Sequence, residues 1–226
     1  EAAIINVDGS CSIQDAIRSA NTDAVVSGCE AGSGDDTINI PFQTISLTSA
    51  AIDGEQFGPS GLPLISSNIT ILGNGSTIER PSGSEFRILA TDSGTNAVLT
   101  MESLTLTGGI AKYGVSGGYG GAIYVGEDTS LILNAATISG NRSYGSGGGV
   151  YSYGATGVQI NDSTIENNTA DYIGGGVSSR EDGLVKIDRT TIDGNTAGSG
   201  GGMSVFYTEG LVTVSDSTIS NNILPV

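Results

Sequence analysis

The chain has 226 residues, 37% of them apolar, and carries 24 acidic against 8 basic side chains for a formal charge of −16. So acidic a surface repels phosphate backbones and anionic headgroups, which sets nucleic acid aside as a partner. Histidine is missing, so no triad or metal site can be built on imidazole, and no apolar run approaches the ~20 residues a membrane-spanning helix needs.

From the N-terminus, Glu-Ala-Ala reads as the start of a mature secreted chain, and no membrane insertion is expected. Cys11 and Cys29 are the only cysteines. With no CxxC spacing and no histidine they read as one structural disulfide, which implies an oxidising compartment. Ser12 with Asp15 three residues on is a helix-capping pattern, and Ile13, Ala16, Ile17 and Ala20 follow at helical spacing. The pattern predicts a short helix over 12–21 that covers the end of whatever follows.

The next stretch is irregular. Thr70-Ile71-Leu72-Gly73-Asn74 reads as a loose copy of Thr137-Ile138-Ser139-Gly140-Asn141, with Leu106 and Gly109 between them. Beyond residue 120 the repeat is strict. Ile138, Ile165, Ile192 and Ile219 are spaced by 27, as are Leu133, Ile160, Ile187 and Val214, and Asn141, Asn168, Asn195 and Asn222. Glycine clusters precede Ile123, Val150, Val177 and Met203, the last interval being 26.

Each repeat holds three apolar alternations between glycine or asparagine turns. Strands this short form no sheet alone, but copies stacked at ~4.8 Å in parallel bury one continuous core. The reading is all-β: a right-handed parallel β-helix with three strands per coil of about 27 residues and an N-terminal capping helix. It is a single domain over 1–226, with the cap and a first irregular coil in 1–64, looser coils in 65–119 and regular coils in 120–226. The asparagines are expected at left-handed turns, forming amide ladders, and Thr137, Thr164, Thr191 and Thr218 on an outward strand face.

Cys11-Ser12-Ile13-Gln14-Asp15-Ala16-Ile17, with Ala20-Asn21 and Asp36-Thr37-Ile38, resembles the opening of bacterial proteins carrying the CSLREA domain. Asn68 to Arg80 is similar to their next segment, and the GGAI and Ile-Ser-x-Asn elements from 120 onward resemble polymorphic outer-membrane protein repeats. Ile13 and Gln14 stand where that signature has Leu and Arg. The resemblance implies a secreted or surface-displayed β-helix, often one module of a larger adhesin-like protein.

Two sets of residues are candidates for function. Tyr124 and Tyr151, 27 apart on an outward alternation, with Tyr153 and Tyr144 beside them, are expected as an exposed aromatic file for a sugar or a surface protein. For an enzyme acting on polysaccharide, the carboxylates are Asp162, Asp188, Glu181 and Asp182, with Asp162 and Asp188 on neighbouring columns. Arg189 lies in the column of Asp162 and Asp216, as in a surface salt ladder. No metal or cofactor is expected. A purely structural spacer is the third reading.

Overall fold

The computed structural model describes residues 2–54, 58–81, 83–112, 118–208 and 210–224. Parallel strands gather into sheets of 13, 5 and 4 strands, with one antiparallel pair at Ile52–Gly54 and Gly58–Ser60. Strands pair with their copies in neighbouring coils, as a β-helix requires. One inward column runs Ile5, Ile38, Ile71, Met101, Leu133, Ile160, Ile187 and Val214 through successive register partners. Every member but Val214 is buried.

The largest sheet is bent lengthwise, so two of the three expected alternations share it. Leu184–Asp188 and Thr191–Asp193 are its two halves in one coil. Ser103, Ala135, Asp162, Arg189 and Asp216 stand at the corner with φ between 46° and 51°. Asp tolerates this left-handed backbone, whereas Ala and Arg are held there by the coils on either side. The third alternation forms the five-stranded sheet, for example Val150–Tyr153. The four-stranded sheet, for example Thr169–Ile173, is an additional short ladder that begins at Ile110–Ala111 and runs through the later coils.

The bend also corrects one alignment. Ile71 pairs with Met101, whereas the counterpart of Ile138 is Ile78, through Leu106. Both Thr-Ile pairs lie on one long strand, Ile69–Glu79, on opposite sides of the corner. The outward file beside Ile78 is threonine in every coil: Thr44, Thr77, Thr105, Thr137, Thr164, Thr191 and Thr218.

Asn141, Asn168 and Asn195 are buried inside the coils. Each donates its side-chain amide to the Oδ1 of the asparagine one coil on, at 3.0 Å, the series closing on Asn222. The backbone N–H of each donates to the same oxygen at 2.9–3.0 Å. The left-handed turn residues are instead Gly140, Asn167, Gly194 and Asn221, one position earlier. The ladder is therefore an internal hydrogen-bonded spine, which satisfies amides that burial would otherwise leave unpaired.

The N-terminal end is closed by a helix, Ile13–Thr22, with Ser12 as N-cap accepting from the Asp15 N–H. Ile13, Ala16, Ile17 and Ala20 face the core, and Cys11 is bonded to Cys29. In the last described coil the same inward positions are open: Ile219 is 50% exposed, whereas Ile138, Ile165 and Ile192 are fully buried.

Candidate functional site

The outward face of the five-stranded sheet has two files. One runs Ala90, Tyr124, Tyr151, Ser178 and Ser204; the other runs Tyr153, Arg180 and Phe206.

In the first file Tyr151 is covered and Tyr124 half-buried, which corrects the expectation of an exposed tyrosine platform. Tyr151 points away from the core, yet it is only 4% exposed. Its ring stacks on Tyr119 with centroids 4.5 Å apart and meets Tyr124 at 5.6 Å. The buried Arg87 guanidinium lies 5.4 Å from the Tyr124 ring and donates to the Tyr119 carbonyl at 2.9 Å. The cover is the glycine-rich turn. Gly147, at φ 67°, runs so close that a Cβ there would sit 2.7 Å from the Tyr151 Cβ, and Gly174 lies equally close to Ser178. Burial raises the phenol pKa of Tyr151 and of Tyr124, and pulls Arg87 down to about 10. Tyr144 belongs to a different face: its hydroxyl donates to Glu85 at 3.2 Å and its ring lies 4.9 Å from the Arg142 guanidinium.

The second file is half-open. Arg180 lies between Tyr153 and Phe206, 5.5 and 5.7 Å from their ring centroids, in successive coils. Tyr207 meets the same guanidinium at 5.8 Å and Phe206 edge-on at 5.6 Å. Glu181 accepts from Arg180 Nε at 3.0 Å. Beside this cluster opens a cleft of about 760 Å³, lined by Glu181, Asp182, Gly183, Tyr207 and Thr208. That volume lies in the range of small-molecule sites.

A compensated slip in the repeat lies beside the cleft. Ala170 pairs with Ala197, 27 residues on, but Ile173 pairs with Ser199, 26 on, across an irregularity. The interval stays 26 through Val177–Met203 and Arg180–Phe206, and returns to 27 at Leu184–Leu211. The residue lost before the five-stranded sheet is thus regained after it, between Phe206 and Leu211. Tyr207 takes the left-handed position that Gly154 and Glu181 hold in the coils below, at φ 56°, and is 75% exposed. A bulky aromatic at positive φ is strained, and such strain gathers at functional positions. The sequence reading did not single out Tyr207; its signal was the 26-residue interval at Met203.

The four carboxylates fall into two environments. Asp162 and Asp188 both hold Arg189. Asp162 accepts from its Nε and Nη2 at 2.6 and 2.7 Å, and Asp188 from its Nη1. The Arg189 hydrogen bonds depress the Asp162 pKa; the Ser215 hydroxyl, then Arg189 and Lys186, depress that of Asp188. Glu181 is exposed and paired to Arg180. Asp182 lines the cleft with its turn, but its side chain, 1% exposed, points into the coil. It accepts from the hydroxyls of Ser152 and Ser179, both buried inward residues, and from Ala155 N–H at 2.9 Å. Burial raises its pKa, against the lowering effect of those bonds.

With the stacked coils and this cleft described, the class is clear, and comparison agrees. Residues 88–224 match the family model of the right-handed β-helix region, and the chain belongs to that family. No curated protein and no solved structure matches the chain.

Proposed function

We propose that the protein is a secreted or cell-surface binding module that holds carbohydrate in the cleft at Tyr207. Tyr207 carries this reading: a large aromatic, exposed, on a strained left-handed backbone, beside a cavity in the small-molecule range. An exposed aromatic ring packs against the apolar face of a sugar, and the nearby Arg180–Glu181 pair offers donors and an acceptor for its hydroxyls. The disulfide favours an oxidising, extracellular setting. The likeness of Cys11–Ile17 to the CSLREA signature, and of the later repeats to polymorphic outer-membrane proteins, favours a surface-displayed adhesin-like role.

The carboxylates favour binding over catalysis. Asp162 and Asp188 are held ionised around one guanidinium, and the Asp182 carboxyl is turned away from the cleft. A general acid needs a proton to give and a path to substrate, and none of the three combines both.

A glycan array probed with the wild-type chain and with Tyr207→Ala tests the reading. Retained glycans that are lost with Tyr207→Ala are expected. Binding that survives both Tyr207→Ala and Glu181→Gln would place the function elsewhere on the solenoid.

A further inference from the structure

We propose that the open face of the last described coil is a self-association surface, on which two copies of this chain meet end to end about a two-fold axis.

Each of the three parallel sheets ends on that face. Leu211–Ser215 and Thr218–Ser220 are edge strands of the 13-stranded sheet, Met203–Phe206 of the five-stranded sheet and Thr196–Ser199 of the four-stranded one. The inward columns reach it uncovered. Val212, Val214 and Ile219 are 40%, 49% and 50% exposed, whereas Val185, Ile187 and Ile192, their partners one coil below, are fully buried. Edge strands around bare core residues are a template for further pairing, and proteins that stay single guard such edges with charge, proline or a cover.

The opposite end is guarded in two ways. The Ile13–Thr22 helix closes it, and Cys11, just before the helix cap, is bonded to Cys29. The column that reaches Val212 also starts from Asp36, with Ile69 as its first apolar member. Asp36 is buried, so a strand stacked there would meet a carboxyl where the later coils offer an apolar side chain.

The four strands of the open face have no such protection of their own. They contain no charged residue and no proline, although each strand paired beneath them holds charge: Asp171, Arg180, Lys186 with Asp188, and Asp193. Asp216, at the corner, is the one acid between 211 and 224.

This lack of charge selects the partner. Two molecules of charge −16 repel each other, and an isologous contact sets the same patch on both sides, so a charged patch would face its own sign. The uncharged end is a part of this acidic surface that a second copy can approach. Because the other end of that copy is capped, the coil face it offers is the same one. The two-fold axis then makes the facing edge strands antiparallel, a pairing at least as stable as the parallel one.

Sedimentation velocity on the full chain at graded concentrations tests this. The doubled mass should predominate at about 100 µM, with a dissociation constant on the order of micromolar, as for a small apolar contact. Added salt should tighten the dimer, because it screens the repulsion between the acidic bodies. Val214→Lys and Ile219→Lys each place an ammonium on the contact and should weaken it by about tenfold or more. Their circular dichroism should match wild type, since both sites are half-open in the single molecule. Asp162→Asn, two coils away at the corner, should leave the mass unchanged. Without any substitution, the amides of Leu211–Ser215 should exchange with solvent more slowly in concentrated than in dilute protein. A monomer at every concentration, a dimer that both lysine variants leave intact, or exchange that ignores concentration overturns the inference. Species that keep growing beyond two also overturn it, because an isologous face closes at the dimer.

Discussion

Tyr151, within a strand of the five-stranded sheet, and Tyr207, just past the end of another strand of that sheet two coils on, have opposite fates. Tyr151 is 4% exposed and Tyr207 75%. Both follow an inward-pointing strand residue or a strand end, and both belong to a molecule with the same repeat. Two things differ, the packing beside each ring and the coil it belongs to. Gly147 runs against Tyr151 in an interior coil, whereas Tyr207, at positive φ, follows Met203–Phe206, the edge strand of the sheet. In a solenoid, strand alternation tells which residues leave the core, but the neighbouring turns decide which of those meet solvent.

The sharpest way to break this comparison is to truncate each ring. Tyr151→Ala should cost about 3 kcal/mol in urea denaturation, because it empties a packed aromatic stack outside the main core. Tyr207→Ala should stay within about 0.5 kcal/mol of wild type, as an exposed side chain with few packed neighbours does. Equal costs would show that Tyr207 is structural and remove the reason for placing a ligand there.

Asp182 supplies a smaller effect. Asp182→Asn keeps the shape but puts amide protons where Ser152, Ser179 and Ala155 all donate, and should cost about 2 kcal/mol. Asp162→Asn, on the exposed corner, should leave the denaturation midpoint nearly unchanged.

Acid titration separates the same two sites by sign. Burial raises the folded-state pKa of Asp182. Its contribution is therefore fully present below the unfolded value of ~3.9 and declines as pH rises through the folded value. For Asp162 and Asp188 the folded values are lowered. Their contributions are present above ~3.9 and vanish as pH falls through the folded values. Stability profiles of Asp182→Asn and Asp162→Asn, each subtracted from wild type, should slope in opposite directions across the acid range; parallel slopes would refute the assignment of the two environments.

A change of opposite sign should come from Tyr207→Gly, which relieves the left-handed strain and should stabilise the fold by up to about 1 kcal/mol while removing sugar binding. A loss of stability would mean that the ring contributes more to the turn than its exposure implies.

Much of the framework was legible because it is periodic. The buried file Ile138, Ile165 and Ile192, the capping stripe Ile13, Ala16, Ile17 and Ala20, and the Cys11–Cys29 bond all stand where spacing and residue type put them. The corner was not legible, since a bent sheet and two separate strands give the same apolar alternation, and Ile71 fell on the wrong side of it. Cover was not legible either. Nothing local in Val150-Tyr151 tells that Tyr119, thirty-two residues earlier, stacks on the ring. For the carboxylates, the likelihood of a salt ladder came from Arg189 in the column, but its second partner is Asp188, one residue away, rather than Asp216. The asparagines were correctly read as a ladder and wrongly read as turn residues. Residue type alone favours the left-handed turn, and only the position of each asparagine beside a buried carbonyl reveals the inward direction.

The asparagine spine also acts as a counter. Because each amide bonds to its copy one coil away, a residue gained or lost within 168–195 or 195–222 must be returned before the next asparagine, or the spine breaks. The chain between 197 and 211 obeys this rule, dropping one residue ahead of Met203 and restoring it after Phe206. Shape variation is thereby confined to compensated pairs of turns on one side of the molecule. Whole 27-residue blocks, by contrast, are interchangeable units: excising one between equivalent points of two coils leaves every column in phase and shortens the solenoid by a single layer.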